Sequence, residues 1–66
     1  MRKKLLSYII RETKKRKIFD FYVEPTLEEC YVLKKNGINV IKSRTFLVNT
    51  LCDEVEIIDT FIYFFD

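Results

Sequence analysis

Few side chains in this 66-residue sequence could do covalent or acid–base chemistry, and none of them has a catalytic spacing. The sequence contains no histidine, so it lacks the imidazole that activates a serine or cysteine nucleophile in many hydrolases. Ser7 and Ser43 are the only serines, and neither lies in a G-x-S-x-G turn. Gly37 is the only glycine, which excludes glycine-rich phosphate loops. The sequence therefore predicts a protein that is not an enzyme.

The two cysteines, Cys30 and Cys52, do not have the spacing of a metal site. There is no Cys-x-x-Cys pair, and without histidine the usual zinc ligand sets cannot be assembled. Nothing in the sequence indicates secretion, so we expect two reduced cysteines that pack as small apolar residues. Asp53 and Glu54 are adjacent carboxylates in a predicted turn, where solvation is their expected role. We therefore predict neither a metal nor a cofactor.

The charges are distributed unevenly along the chain. Residues 1–17 carry eight Lys and Arg residues against Glu12 alone, whereas residues 18–66 carry four against nine acidic residues. Two interpretations are open, a surface that binds the phosphates of a nucleic acid or a solvated basic surface. The net charge of only +2 gives the first weak support. The predicted anion-binding residues are Arg11, Lys14, Lys15, Arg16, Lys17, Lys42 and Arg44.

The clearest predicted element is a helix over residues 27–36. Thr26 and Glu29 have the S/T-x-x-E spacing of a capping box. Gly37 stands where helices often end in a left-handed residue. The apolar residues fall on one helical face, which we expect to pack on the core. This face contains Leu27, Cys30, Tyr31 and Leu33.

Three segments have the composition of β-strands. Residues 18–24 alternate apolar and polar side chains, and residues 38–48 and 55–65 are rich in β-branched and aromatic residues. We expect the last two to pair as an antiparallel hairpin. The final strand is apolar on both faces near its end, so both faces are expected to be covered. One of these faces carries Phe61, Tyr63 and Phe65.

Residues 3–16 allow two interpretations. As a helix, they place an apolar stripe between Leu5 and Thr13. As a strand, they would form a hairpin with residues 18–24 through a connection that lacks the residues hairpin turns prefer. We favour the helix, which predicts an α+β fold of order αβαββ in a single domain, residues 1–66. The alternative is ββαββ with an N-terminal hairpin.

The choice at residues 3–16 determines how the last strand is covered. Helix 27–36 is about 15 Å long and can cover one face of the sheet only. A helix at 3–16 is expected to cover the other face, whereas a hairpin leaves that face to a second copy of the chain or to a target. The predicted interface residues are Phe61, Tyr63 and Phe65.

Taken together, these features predict a small protein-binding module. Ala, Gln, His and Trp are absent while Lys, Ile, Phe and Tyr are abundant, which indicates an AT-rich gene. Small size and this composition suit phage- or mobile-element-encoded inhibitors or regulators of a larger host assembly, anti-CRISPR proteins among them as a class. The alternative is a nucleic-acid-binding regulator, and homodimer formation is a further hypothesis. The apolar run 5–10 is too short for a signal peptide, so we expect a cytoplasmic protein without membrane contact.

Overall fold

The computed structural model describes residues 1–65, which form two helices and a three-stranded antiparallel sheet. In chain order the elements are α1 (Lys3–Arg16), β1 (Ile18–Phe21), α2 (Leu27–Lys35), β2 (Ile38–Asn49) and β3 (Glu54–Phe65). The predicted α+β fold of order αβαββ is confirmed, and residues 3–16 are a helix rather than half of a hairpin.

Helix α1 forms because its apolar residues recur at helical spacing. Its C-terminal cap is a lysine rather than the more usual glycine. The helix stops at Lys17, which adopts a left-handed φ of 74° and donates its backbone N–H to the carbonyl of Thr13 at 2.7 Å. Lys14, Lys15 and Arg16 occupy the last turn, where positive charge suits the helix dipole. The structure thus ends α1 within one residue of β1.

Helix α2 has the predicted caps, but only part of its predicted apolar face is buried. The Thr26 hydroxyl accepts a hydrogen bond from the Glu29 N–H, the Glu29 carboxylate accepts one from the Thr26 N–H, and Gly37 is left-handed. The buried residues are Glu29 and Leu33, and Cys30 is half-buried, whereas Leu27 and Tyr31 are 91% and 62% exposed. Of the predicted apolar face, Leu33 therefore packs on the core, while the prediction for Leu27 and Tyr31 is wrong. A carboxylate can occupy the buried face here because Arg2 contacts Glu29 at 2.6 Å.

The sheet has the strand order β1-β3-β2, so the C-terminal strand lies in the middle. Strand β1 pairs Phe21 with Phe61 and then stops, three residues earlier than predicted. Beyond it, the carbonyl of Val23 accepts the Tyr63 hydroxyl at 2.7 Å, and the carbonyl of Glu24 accepts the Arg2 guanidinium at 2.8 Å. These side-chain partners replace the backbone partners that a continued strand would need.

Both helices pack on the same face of the sheet, which we call the inner face. The expectation that α1 covers the second face is wrong. Strand β1 places Phe19 and Phe21 beside Tyr63 and Phe61 on the inner face, so the apolar stripe of α1 finds its largest contact area there. The opposite side, the outer face, has no helix against it among residues 1–65. The buried core consists of Leu6, Ile9, Phe19, Leu33, Ile38, Phe61 and Tyr63.

Strands β2 and β3 continue beyond this core as a two-stranded hairpin, which we call the arm (residues 44–58). Every residue of the arm is exposed. Six residues of β2 in the arm correspond to about 20 Å of strand, and the described structure measures 45 × 23 × 16 Å. We call the remainder of the molecule, with its two helices and the paired ends of the strands, the body.

Candidate functional site

The outer face of the sheet is apolar although nothing in the described chain covers it. Antiparallel sheets that face water on one side normally carry polar residues there. Here the register places large apolar side chains from all three strands on the outer face, and four of them are exposed. These outer-face residues are Ile18, Ile41, Leu47, Ile58, Ile62 and Phe64.

The charges on the outer face are all acidic. The paired strand positions that point outward include Asp20, Glu54 and Glu56, and no Lys or Arg occupies an outward position in the three strands. A phosphate backbone requires Lys and Arg for its affinity. The outer face of the three strands therefore lacks the basic side chains that a phosphate backbone would contact.

The arm carries a second apolar surface, on its inner face. Phe46 lies opposite Ile57, and Val48 lies opposite Val55. All four side chains are exposed, because the two helices end before they reach the arm. Two cross-strand apolar pairs of this kind stabilise a hairpin only modestly by themselves.

The tip of the arm presents a single apolar side chain and several carboxylates. Leu51 is 94% exposed, and its backbone N–H donates to the Asn49 side-chain oxygen at 3.1 Å, which fixes the turn. Asp53 has a left-handed φ of 52°. With Glu54 and Glu56, Asp53 gives residues 45–58 three acidic charges and no basic one.

A charged cluster stands at the base of the arm. Asp59 accepts hydrogen bonds from Arg44 at 2.9 and 3.3 Å, and the Lys42 ammonium lies 3.7 Å from the same carboxylate. The hydrogen bond from Arg44 holds the pKa of Asp59 below its ordinary value and raises the pKa of Arg44. Two of the predicted anion-binding residues are thus engaged with a carboxylate of their own chain.

A groove of about 400 Å³ lies beside this cluster, between the start of α2 and the edge of β2. Cys30 lines it, and burial together with the charges of Glu29 and Glu24 raises the pKa of this thiol. A raised pKa leaves less of this thiol as the reactive thiolate at neutral pH. The other lining residues are Glu24, Pro25, Leu27, Val40, Ile41, Lys42 and Phe61.

The other predicted anion-binding residues lie on α1 or directly after it, away from Lys42 and Arg44. The Lys17 carbonyl accepts the N–H of Phe65, which pairs with Ile38 at the opposite end of β2 from the arm. Lys42 and Arg44 lie four and six residues further along β2, about 13 and 20 Å away. The structure therefore separates the predicted basic surface into two parts. The part on α1 comprises Arg11, Lys14, Lys15, Arg16 and Lys17.

The predicted interface residues contribute mainly to the core of the single chain. Tyr63 is 0% exposed, and Phe61 is buried except for the edge that lines the groove. Phe65 is partly exposed beneath the Lys17 ammonium, which lies 4.9 Å from the ring centroid. Sequence reasoning missed the outer face and the arm. The signal for the arm was length, because 12-residue strands outrun a 9-residue helix by more than half their extent, whereas the outer face is uncovered because both helices pack on the inner face.

One polar contact inside the body is structural. Arg2 donates to both carboxylate oxygens of the buried Glu29, and this hydrogen bonding lowers the pKa of Glu29 to about 2. The contact ties the start of α1 to the first turn of α2. No group of three or more potential metal ligands occurs within residues 1–65. In the same part of the chain, no helix is long and apolar enough to cross a membrane.

Comparison with known proteins adds no assignment. No family model, curated protein or solved structure matches this chain.

Proposed function

We propose that this protein is a non-enzymatic binding module that docks a partner protein on the outer face of its sheet. The observation that carries the proposal is the apolar outer face, which the chain leaves uncovered while both helices pack on the inner face. Contiguous exposed apolar surface in a small protein marks an interaction site. Asp20 and Glu56 border this surface, as a rim borders the core of an interface, and the polar pair Ser43–Thr60 lies within it between Ile62 and Ile58.

The charge of the outer face defines the chemistry of the partner. Its charged residues Asp20, Glu54 and Glu56 are all acidic, so a complementary partner has an apolar patch bordered by Lys or Arg. Binding of this kind inhibits or regulates by occupying a surface and requires no chemistry. Small size and an AT-rich composition support the more specific proposal of a phage- or mobile-element-type inhibitor or regulator of a larger host assembly.

Two adjacent isoleucines in β3 provide a matched test. Ile58 points to the outer face and Ile57 to the inner face of the arm, and they are 39% and 54% exposed. We expect affinity capture from lysates of low-GC bacteria to recover a protein with the unmodified chain and with Ile57→Lys. Ile58→Lys is expected to lose it. Capture of nothing above background, or equal capture by Ile58→Lys, would contradict the proposal.

The exposed side of α1 supports a second candidate function, nucleic-acid binding. Arg11, Lys14 and Lys15 are exposed there, and the only carboxylate of α1, Glu12, is buried and bonded to Arg16 at 3.0 Å. The helix therefore presents a surface with basic but no acidic side chains. Phosphate contacts predict that the affinity for DNA or RNA falls steeply as salt rises. The double variant K14Q/K15Q is expected to flatten the slope by about two phosphate contacts. Absence of binding at low salt would exclude this function.

A further inference from the structure

The inner face of the arm is an uncovered apolar surface formed by residues other than those of the proposed target site. We propose that two copies of this chain pair arm against arm through this face, in an antiparallel arrangement with two-fold symmetry. The surface is formed by the cross-strand pairs Phe46–Ile57 and Val48–Val55, together with Leu51 at the tip.

The shape of this surface matches a second copy of itself. The helices form a layer on the inner face of the body and stop before the arm. Next to the helices, the inner face of the arm therefore borders an open step whose height is one layer of secondary structure. Packed sheets lie about 10 Å apart, and a second arm fills a space of that depth. A two-fold axis between the two apolar pairs places Phe46 of one copy level with Val48 of the other, so each apolar pair meets an apolar pair.

The same axis brings the tip of each arm to the base of the other. The axis passes level with residue 47, so residue 42 of one copy lies opposite residue 52 of the other. Leu51 of one copy therefore reaches the groove of about 400 Å³ beside Lys42 of the other. Leu51 is the most exposed large apolar side chain of the arm, and the groove is lined by Leu27, Val40 and Phe61, among others. A two-fold interface must be complementary to itself, and here Leu51 and the groove lie at matching distances from the axis.

Charge supports the same arrangement. The tip of the arm carries Asp53 in its turn and Glu54 and Glu56 on its outer side, so that its net charge is acidic, whereas the base carries Lys42 and Arg44 on the inner face against the single carboxylate of Asp59. Residues 45–58 have a charge of −3 and the rest of the chain has +5, from twelve basic and seven acidic residues. An antiparallel pair places each acidic tip at the other copy's basic base, whereas a parallel pair would bring the two acidic tips together.

The area is sufficient for a weak to moderate dimer. Five apolar side chains of the arm, each more than half exposed, offer on the order of 500 Å² per chain, at about 150 Å² or more for a large side chain. This is below the roughly 800 Å² per partner of a standard interface, and the contact of Leu51 with the groove of the other copy adds to it. The outer faces point away from each other in such a dimer, so both target sites stay open.

The isoleucine pair tests the dimer independently of the target site. We expect light scattering at micromolar concentration to give twice the mass of one chain for the unmodified protein and for Ile58→Lys. Ile57→Lys is expected to raise the dimer Kd at least about tenfold. Circular dichroism checks that both variants keep the fold. A strict monomer at hundreds of micromolar, or equal dissociation by Ile58→Lys, would overturn the proposal, and neither result bears on target capture.

A cross-link tests the orientation. Within one chain Lys42 and Cys52 are roughly 25 Å apart along the arm, at about 3.3 Å per residue, whereas in the antiparallel pair position 42 faces Cys52 of the other copy. Lys42→Cys is therefore expected to give a covalent dimer with a short bis-maleimide reagent. Cys30 lines the same groove, so both variants also carry Cys30→Ser; the Cys30→Ser chain gives the background, and Lys15→Cys at the far end is the matched control. Equal cross-linking of Lys42→Cys and Lys15→Cys would contradict the antiparallel pairing.

Discussion

The body and the arm are built from the same two strands, yet only the body contributes a core. In β3, Phe61 and Tyr63 are buried under the helices, while Val55 and Ile57 on the same face are exposed. The residue types are similar and the neighbours differ. An apolar strand residue is a core residue only where a helix reaches it, so the ends of the helices divide one strand into a folding part and a contact part.

The largest expected effect of this difference is on the free energy of unfolding, when an apolar side chain is truncated in the body or in the arm. Leu33→Ala removes a fully buried side chain and is expected to lower the free energy of unfolding by about 2–5 kcal/mol. Val48→Ala, at an exposed position on the arm, is expected to change it by less than about 0.5 kcal/mol. Urea unfolding of the dilute monomer measures both. Equal losses would show that the arm belongs to the same core as the body.

The second effect is an acid dependence located in the body. The hydrogen bond from Arg2 lowers the pKa of Glu29 to about 2 from an ordinary 4.5, so its stabilisation is complete above pH 4.5 and is lost as pH falls toward 2. We expect a loss on the order of 2 kcal/mol, because solvent around the half-exposed Arg2 screens the pair.

Glu29→Gln provides the control for this acid dependence. The amide keeps the capping geometry but does not titrate, so the variant is expected to be less stable at pH 7 and to lose less stability between pH 4.5 and 2. Urea midpoints measured across this range give the comparison. An unchanged slope in Glu29→Gln would mean that another carboxylate causes the acid sensitivity.

A third effect separates two threonines. Thr26 caps α2 through its hydroxyl, so Thr26→Ala is expected to lower the free energy of unfolding by about 1 kcal/mol. Thr50 lies in the turn of the arm, and Thr50→Ala is expected to be neutral within about 0.5 kcal/mol. Thermal melts distinguish the two. A destabilising Thr50→Ala would indicate that the turn of the arm contributes to folding of the body.

The smallest effect is a gain in stability. The Thr13 hydroxyl is buried and has no hydrogen-bond partner within residues 1–65. Thr13→Val keeps the shape of the side chain and removes the unpartnered oxygen, so it is expected to stabilise the body by up to about 1 kcal/mol. A destabilising Thr13→Val would show that the hydroxyl has a partner in solution.

The elements of this fold were predictable because their signals are local. The capping box at Thr26 and Glu29, the left-handed Gly37 and the alternation in residues 18–24 each depend on neighbouring residues. Strand β1 was predicted too long because the partners that end it, Tyr63 and Arg2, are distant in sequence.

The packing of the elements was not predictable in the same way. The buried face of α2 depends on Arg2 reaching Glu29 across 27 residues, and no periodicity reports that contact. The two helices share one face because β1 pairs with the middle strand in the register that aligns Phe19 with Tyr63. The candidate surfaces were missed for the same reason, since the uncovered residues are known only once the covered ones are placed.

The central claim is that the apolar residues of the arm are used between molecules and not within the chain. Amide hydrogen exchange at residues 46–57, measured in dilute and in concentrated solution, tests it most directly. We predict that in dilute solution these amides exchange far faster than those around Tyr63, and that concentration protects the arm while the body is unchanged. Arm amides as protected as those of the body in the dilute monomer would contradict the account.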